Sequence, residues 1–166
     1  DTDCLVEQAT HKAASLANCD LVTFATRKSS TYFDIHNDKG DEVANYSYNY
    51  GGDGVAVRTV SVMYYEGPSN TTIRAVSASA SDCLMRQDTH QAAGLANCDL
   101  TGFTTRRSST FFNPHLGKGD ELADYTYNYG GNGIVVRSVN IFYYQGPTAD
   151  GVTAASASDL DCLIRQ

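Results

Sequence analysis

The sequence predicts an α+β fold in which strands dominate. It should be two pseudo-symmetric repeats, each a short helix plus about four antiparallel strands. Three observations carry that expectation. The chain lands on itself when shifted by 79 residues. Each copy opens on an alanine-rich stretch, and each continues as alternating segments punctuated by Gly and Pro.

The repeat comes first. Cys4-Leu5 falls on Cys83-Leu84, and Leu16-Ala17-Asn18-Cys19-Asp20-Leu21 falls on Leu95-Ala96-Asn97-Cys98-Asp99-Leu100. Lys39-Gly40-Asp41-Glu42 falls on Lys118-Gly119-Asp120-Glu121, and Tyr48-Asn49-Tyr50-Gly51-Gly52 on Tyr127-Asn128-Tyr129-Gly130-Gly131. About 45 of 79 aligned positions are identical, which only duplication explains. The chain closes on Cys162-Leu163-Ile164-Arg165-Gln166, which matches Cys83-Leu84-Met85-Arg86-Gln87 and opens a third copy. This divides the chain into an arm over 1–7, a first unit over 8–87 and a second over 88–166. Whether the units are separate domains or share a sheet stays open.

Within a unit, Gln8 to Cys19 reads as a helix with Thr10 as N-cap, followed by Ala13, Ala14, Leu16 and Ala17. Gln87 to Cys98 repeats it with Thr89. Asp20 to Phe33 reads as strand with a Ser-rich turn, and Arg27-Lys28-Ser29-Ser30 and Arg106-Arg107-Ser108-Ser109 read as charged turns. Lys39-Gly40-Asp41 is a turn. Val43 to Tyr50 is a strand whose period of two puts Tyr46, Tyr48 and Tyr50 on one face. Gly51-Gly52-Asp53-Gly54 is a hairpin turn. Val55 to Tyr65 is a strand whose phase shifts near Arg58-Thr59, the mark of a bulge. Gly67-Pro68 ends it, and Ala75 to Ser81 reads as a last strand of small residues.

Composition narrows the function classes. The 166 residues carry a formal net charge of -7. An acidic chain without a basic cluster is a poor partner for nucleic acid or an anionic membrane. No window approaches the roughly 18 apolar residues of a membrane span. The start Asp1-Thr2-Asp3-Cys4 reads as a processed end, and five cysteines suit an oxidising compartment, so the chain reads as secreted. Two disulfide registers respect the repeat. One pairs Cys4 with Cys19 and Cys83 with Cys98. The favoured one pairs Cys19 with Cys83 and Cys98 with Cys162, which explains the third Cys-Leu and leaves Cys4 over for a disulfide-linked homodimer.

Four constellations are candidates for chemistry. Asp41-Glu42 and the glycine hairpin offer carboxylates, amides and exposed carbonyls to a hard cation. The tyrosine stripe offers ring faces to a sugar. His11, His36, His90 and His115 match no metal or nucleophile motif, and the basic pairs are too few for a nucleic-acid patch. Solvated turns beside a core strand remain the bland alternative. No recognisable acid, base and stabiliser set appears, so the expectation is a binding protein and not an enzyme. Asn45-Tyr46-Ser47 and Asn70-Thr71-Thr72 are glycosylation sequons absent from the second copy.

In size, cysteine arrangement and paired acidic and Gly-Gly segments, the chain resembles small secreted invertebrate tandem-repeat lectins. Among these it is most similar to the sea-anemone type of calcium-dependent galactose-binding lectin. The resemblance implies multivalent binding of galactose-type glycans on cell surfaces or glycoproteins. It implies calcium at Asp41, Glu42, Asp120 and Glu121. The sugar then meets Asn49, Asp53 and Tyr48 in the first unit and Asn128, Asn132 and Tyr127 in the second, and Asn132 in place of Asp53 weakens one calcium site. The rival class is a secreted, disulfide-stapled structural or inhibitor protein without sugar binding.

Overall fold

The computed structural model describes residues 3–12, 26–92, 105–147 and 150–166. Eight strands run side by side in one antiparallel sheet: β1 Glu7–His11, β2 Arg27–Asp34, β3 Val43–Tyr50, β4 Val57–Glu66, β6 Leu84–Gln91, β7 Arg106–Asn113, β8 Leu122–Tyr129 and β9 Val136–Ile141. The ninth, β5 at Thr72–Arg74, pairs Tyr64 to Glu66 of β4, beyond the last pair β4 makes with β3. A separate pair joins β10 Tyr143–Tyr144 to β11 Leu163–Arg165.

The expected α+β class is therefore corrected to all-β, because the described residues contain no α-helix. Both expected helices open as strands. Gln8-Ala9-Thr10-His11 and Gln87-Asp88-Thr89-His90 carry no apolar stripe a helix could bury, while as extended segments the first pairs β2 along one edge and the second pairs β4 and β7 along both. The alanine-rich remainders lie outside the described residues. A second correction concerns Ser29-Ser30 and Ser108-Ser109, which lie inside β2 and β7 and form no turn. Ala75 to Ser81 is a 3-10 turn at Ala75–Ser77 followed by loop, repeated at Ala154–Ser156. Ala75 and Ala78 are fully buried against the sheet end, beside Val43 and Tyr65.

The two units share one sheet, and β4 pairing with β6 is the seam. Val60 faces His90, Ser61 faces Thr89, Val62 faces Asp88 and Tyr64 faces Arg86. Directly paired residues point to the same side, so pairing sorts the sheet into two unlike faces. One carries Tyr32, the tyrosines of β3 and Val57, Val60 and Val62. Tyr32, Tyr46 and Tyr48 pack with centroids 4.9, 5.5 and 5.1 Å apart. Phe111, Tyr125 and Tyr127 repeat the cluster at 4.6, 5.5 and 5.1 Å. The opposite face is a ladder of hydroxyls: Thr31 to Ser47 at 2.6 Å, Ser61 to Thr89 at 3.2 Å and Thr110 to Thr126 at 2.8 Å.

The seam sets where the core sits. Val57, Val60 and Val62 of β4 are 4%, 0% and 1% exposed, whereas their repeats Val136, Val139 and Ile141 in β9 are 41%, 48% and 43% exposed. The sequences barely differ. What differs is the neighbour: β6 and Ala92 cover β4, and no described strand covers the outer edge of β9.

The end of the sheet contributes a pH dependence. Tyr65 donates its hydroxyl to the Ala44 carbonyl at 2.6 Å, and burial pushes its phenol up to about 12. The folded value lies above the ordinary value of about 10. Stability from this group is therefore complete below pH 10 and lost as pH rises through 12. Tyr65→Phe is expected to flatten that alkaline loss, read as urea midpoints between about pH 9 and about pH 12. An unchanged alkaline slope would remove Tyr65 as its source.

Candidate functional site

The acidic turns use their carboxylates on the backbone. Glu42 accepts from Leu5 N–H at 2.8 Å through Oε1 and from Gly40 N–H at 3.0 Å through Oε2. Glu121 does the same with Leu84 at 2.8 Å and Gly119 at 3.0 Å. Each glutamate ties the preceding Cys-Leu segment, Cys4-Leu5 or Cys83-Leu84, to the turn before β3 or β8. Asp53 accepts from Val55 and Ala56 N–H through Oδ1, and Asn132 accepts from Ile134 and Val135 through the same atom. An amide oxygen serves as well as a carboxylate, which explains why Asp and Asn interchange. The Leu5 N–H first, then other backbone donors, hold the Glu42 carboxyl below its usual range, and the Val55 and Ala56 N–H groups do so for Asp53.

The remaining expected residues divide. Asp41 and Asp120 close turns through their own N–H groups, bonded to Asp38 and Gly117 carbonyls. Tyr48 and Tyr127 lie in the ring clusters. Among the described residues no three His, Cys, Asp or Glu side chains converge to hold a cation. The Glu42, Glu121, Asp53 and Asn132 oxygens named above are engaged by backbone N–H groups. The hairpin glycines are structural too. Gly54 has a φ of 69°, and a Cβ there would lie 2.6 Å from Arg27 N. Among the described cysteines, Cys83 is a buried thiol and Cys162 an exposed one, while Cys19 and Cys98 of the favoured bridges lie outside the described residues.

A cleft of about 660 Å³ opens at the end of the seam. Asn49, Tyr50, Val57, Arg58 and Thr59 of the first unit form one wall, and Gln91, Ala92 and Arg107 of the second form the other. Asn49 donates to Thr59 at 3.3 Å and Ser61 at 3.4 Å, and Arg107 donates to Gln91 at 2.7 Å. No carboxylate is among these residues.

The two arginines reach the cleft for one reason. Asn49 pairs with Thr59 but Tyr50 with Val57, so Arg58 is the extra residue of a β-bulge, where the phase shift in the sequence places it. Thr89 pairs with Ser108 but His90 with Arg106, so Arg107 is also a bulge residue. Bulges re-aim side chains next to sites. Lys28 and Arg137 occupy the two repeat-equivalent bulges. Of the eight lining residues, only Asn49 belongs to the set expected to bind a ligand. Gln91 and Arg107 were missed because the seam joins them to Arg58 across the unit boundary, although a basic residue at each of these four equivalent bulges was a visible signal.

No protein family, curated protein or solved structure matches the chain.

Proposed function

We propose that this is a secreted carbohydrate-binding protein whose site is the seam cleft, and that it takes acidic glycans. The observation that carries the reading is the pair of bulge guanidiniums, Arg58 and Arg107, in one cleft with the Asn49 and Gln91 amides and no carboxylate. A guanidinium presents a fork of N–H donors to a carboxylate or sulfate. Side-chain amides both donate and accept, which suits sugar hydroxyls. A net charge of -7 over the whole chain disfavours unspecific polyanion binding.

A glycan array spanning neutral galactosides, polyuronates and sulfated oligosaccharides tests this, run with calcium and with chelator. The expected result is retention of acidic glycans in both arms. Calorimetry on Arg58→Ala/Arg107→Ala should then show at least a roughly tenfold loss of affinity, the loss of one or two charge-assisted bonds. No retained glycan overturns the carbohydrate reading. Retention of galactosides only with calcium would return the site to the acidic turns.

A further inference from the structure

The seam inside the chain is a template for a seam between chains. β9 is the 79-residue repeat of β4, and β1 of β6. Val136, Arg137, Val139, Tyr143 and Tyr144 stand where Val57, Arg58, Val60, Tyr64 and Tyr65 stand, and Gln8, Thr10 and His11 stand where Gln87, Thr89 and His90 stand. In the template β4 and β6 pair over Thr59 to Tyr65. In this chain β1 lies at one edge of the sheet and β9 at the other, and no described strand pairs with the outer edge of either.

We propose that the β9 edge is a docking surface for β1 of a second copy of this chain, forming head-to-tail oligomers that continue the sheet. The template register sets Val139 against the second copy's His11, Asn140 against its Thr10, Ile141 against its Ala9 and Tyr143 against its Glu7. Val136, Val139 and Ile141, nearly half exposed in one chain, pass into the state of Val57, Val60 and Val62. Added strands satisfy the main-chain donors and acceptors of an open edge.

One segment stands in the way, and it identifies the occupant. Residues 162–166 repeat residues 4–8, and they already sit in the template's place. Tyr143 pairs Arg165 and Tyr144 pairs Leu163, as Tyr64 pairs Arg86 and Tyr65 pairs Leu84. Gln145 N–H bonds the Cys162 carbonyl at 2.7 Å, as Glu66 N–H bonds that of Cys83 at 2.9 Å. All three residues of β11 are exposed. The second copy's Cys4 to Gln8 is the same kind of segment with the rest of a sheet behind it, anchored by its own Glu42 to Leu5 N–H bond. It displaces β11 and goes on along Ile141 to Ser138. Because the two edges differ, the contact is heterologous, and chains add without closing at a dimer.

Sedimentation equilibrium tests the proposal from about 10 µM to about 1 mM, a range that reveals weak joints. Reductant excludes disulfide-linked species. About 0.5 M salt screens Arg137 from the second copy's Lys12 and Lys28. The parent should show an average mass that rises continuously past two chains. Ile141→Lys blocks one edge and Ala9→Lys the other. Both sites are exposed in the single chain, and unchanged circular dichroism confirms folding. Each variant alone should stay at one chain, and an equimolar mixture should stop at a dimer, because one intact β9 edge meets one intact β1 edge. A parent that stays monomeric throughout overturns the proposal. So does self-association of either variant at parental strength, or a mixture that remains monomeric.

Discussion

Val60→Asp should abolish folding of this chain, while Val139→Asp, the same change one repeat later, should move the melting temperature by no more than about 3 °C. The two valines are equivalent in sequence and in strand position, and the sheet alone separates them. Val60 lies between Tyr48 of β3 and His90 of β6 and is 0% exposed. A carboxylate there meets the Tyr48 ring and the His90 imidazole, whose own burial disfavours its charged form, and reaches no water, and an unpaired buried charge costs several kcal/mol. Domains of this size are stable by about 5–15 kcal/mol, so that loss removes most or all of the margin. Val139 lies on Tyr127 on one side and on open edge on the other. An aspartate there keeps its hydration. Thermal melts at low micromolar protein, dilute enough to hold the chain as a monomer, give the comparison. A folded Val60→Asp protein would mean the seam is not closed as described.

The strands that obey a period of two were legible in the sequence. Val43 to Tyr50 alternates tyrosines with Ala, Asn and Ser, and its bounds match β3. The bulge at Arg58 was legible from the break in the valine phase. The β1 and β6 segments were not. Gln, Thr and His have no strong preference, and the neighbouring alanines drew the reading towards helix. Ser30 and Ser109 were hidden for a related reason. Serine favours turns by propensity, yet each is 0% exposed and pairs with a tyrosine of the next strand, Tyr48 or Tyr127. Tyr32 packs edge-on against Tyr48, and Phe111 against Tyr127, both at 5.5 Å, so the position paired with each tyrosine takes a small residue. That fit belongs to the sheet and has no local signature.

Duplication marks structural demand and ligand demand alike. Asp41-Glu42 and Gly-Gly were kept twice, and a doubled ligand site would also be kept twice. Each unit needs its own turn capped, so structural demand leaves the same mark. The seam cleft has one complete copy in the chain, because it needs residues of two adjacent units. Comparing the copies with each other cannot expose it. Arg58 was visible as kept, but its place opposite Arg107 depends on the β4 to β6 register.

Asp88→Ala should cost about 3 kcal/mol or more of unfolding free energy, the second large effect expected. Asp88 is 0% exposed at the centre of the seam. Its Oδ1 accepts from the Ser109 hydroxyl at 2.6 Å and lies 3.3 Å from the Arg86 Nε, and its Oδ2 lies 3.7 Å from Arg106. Removing the carboxylate leaves a buried hydroxyl without an acceptor and two partly buried guanidiniums without their counter-ion. The neutral Asp88→Asn keeps an acceptor for Ser109 and loses the charge, so its cost should fall between parent and alanine variant. The first unit supplies the internal control. There Ala9 stands in place of Asp88, Glu7 in place of Arg86, and the Ser30 hydroxyl is buried without a partner. Ala9→Asp should therefore give Ser30 an acceptor at an exposed edge, where the carboxylate stays hydrated beside Arg27. Its stability should stay within about 1 kcal/mol of the parent, as for surface substitutions. Urea titrations of the three variants decide the matter. A loss below about 1 kcal/mol for Asp88→Ala would show that the seam is held by its valines alone, since hydrophobic burial would then account for the whole of it.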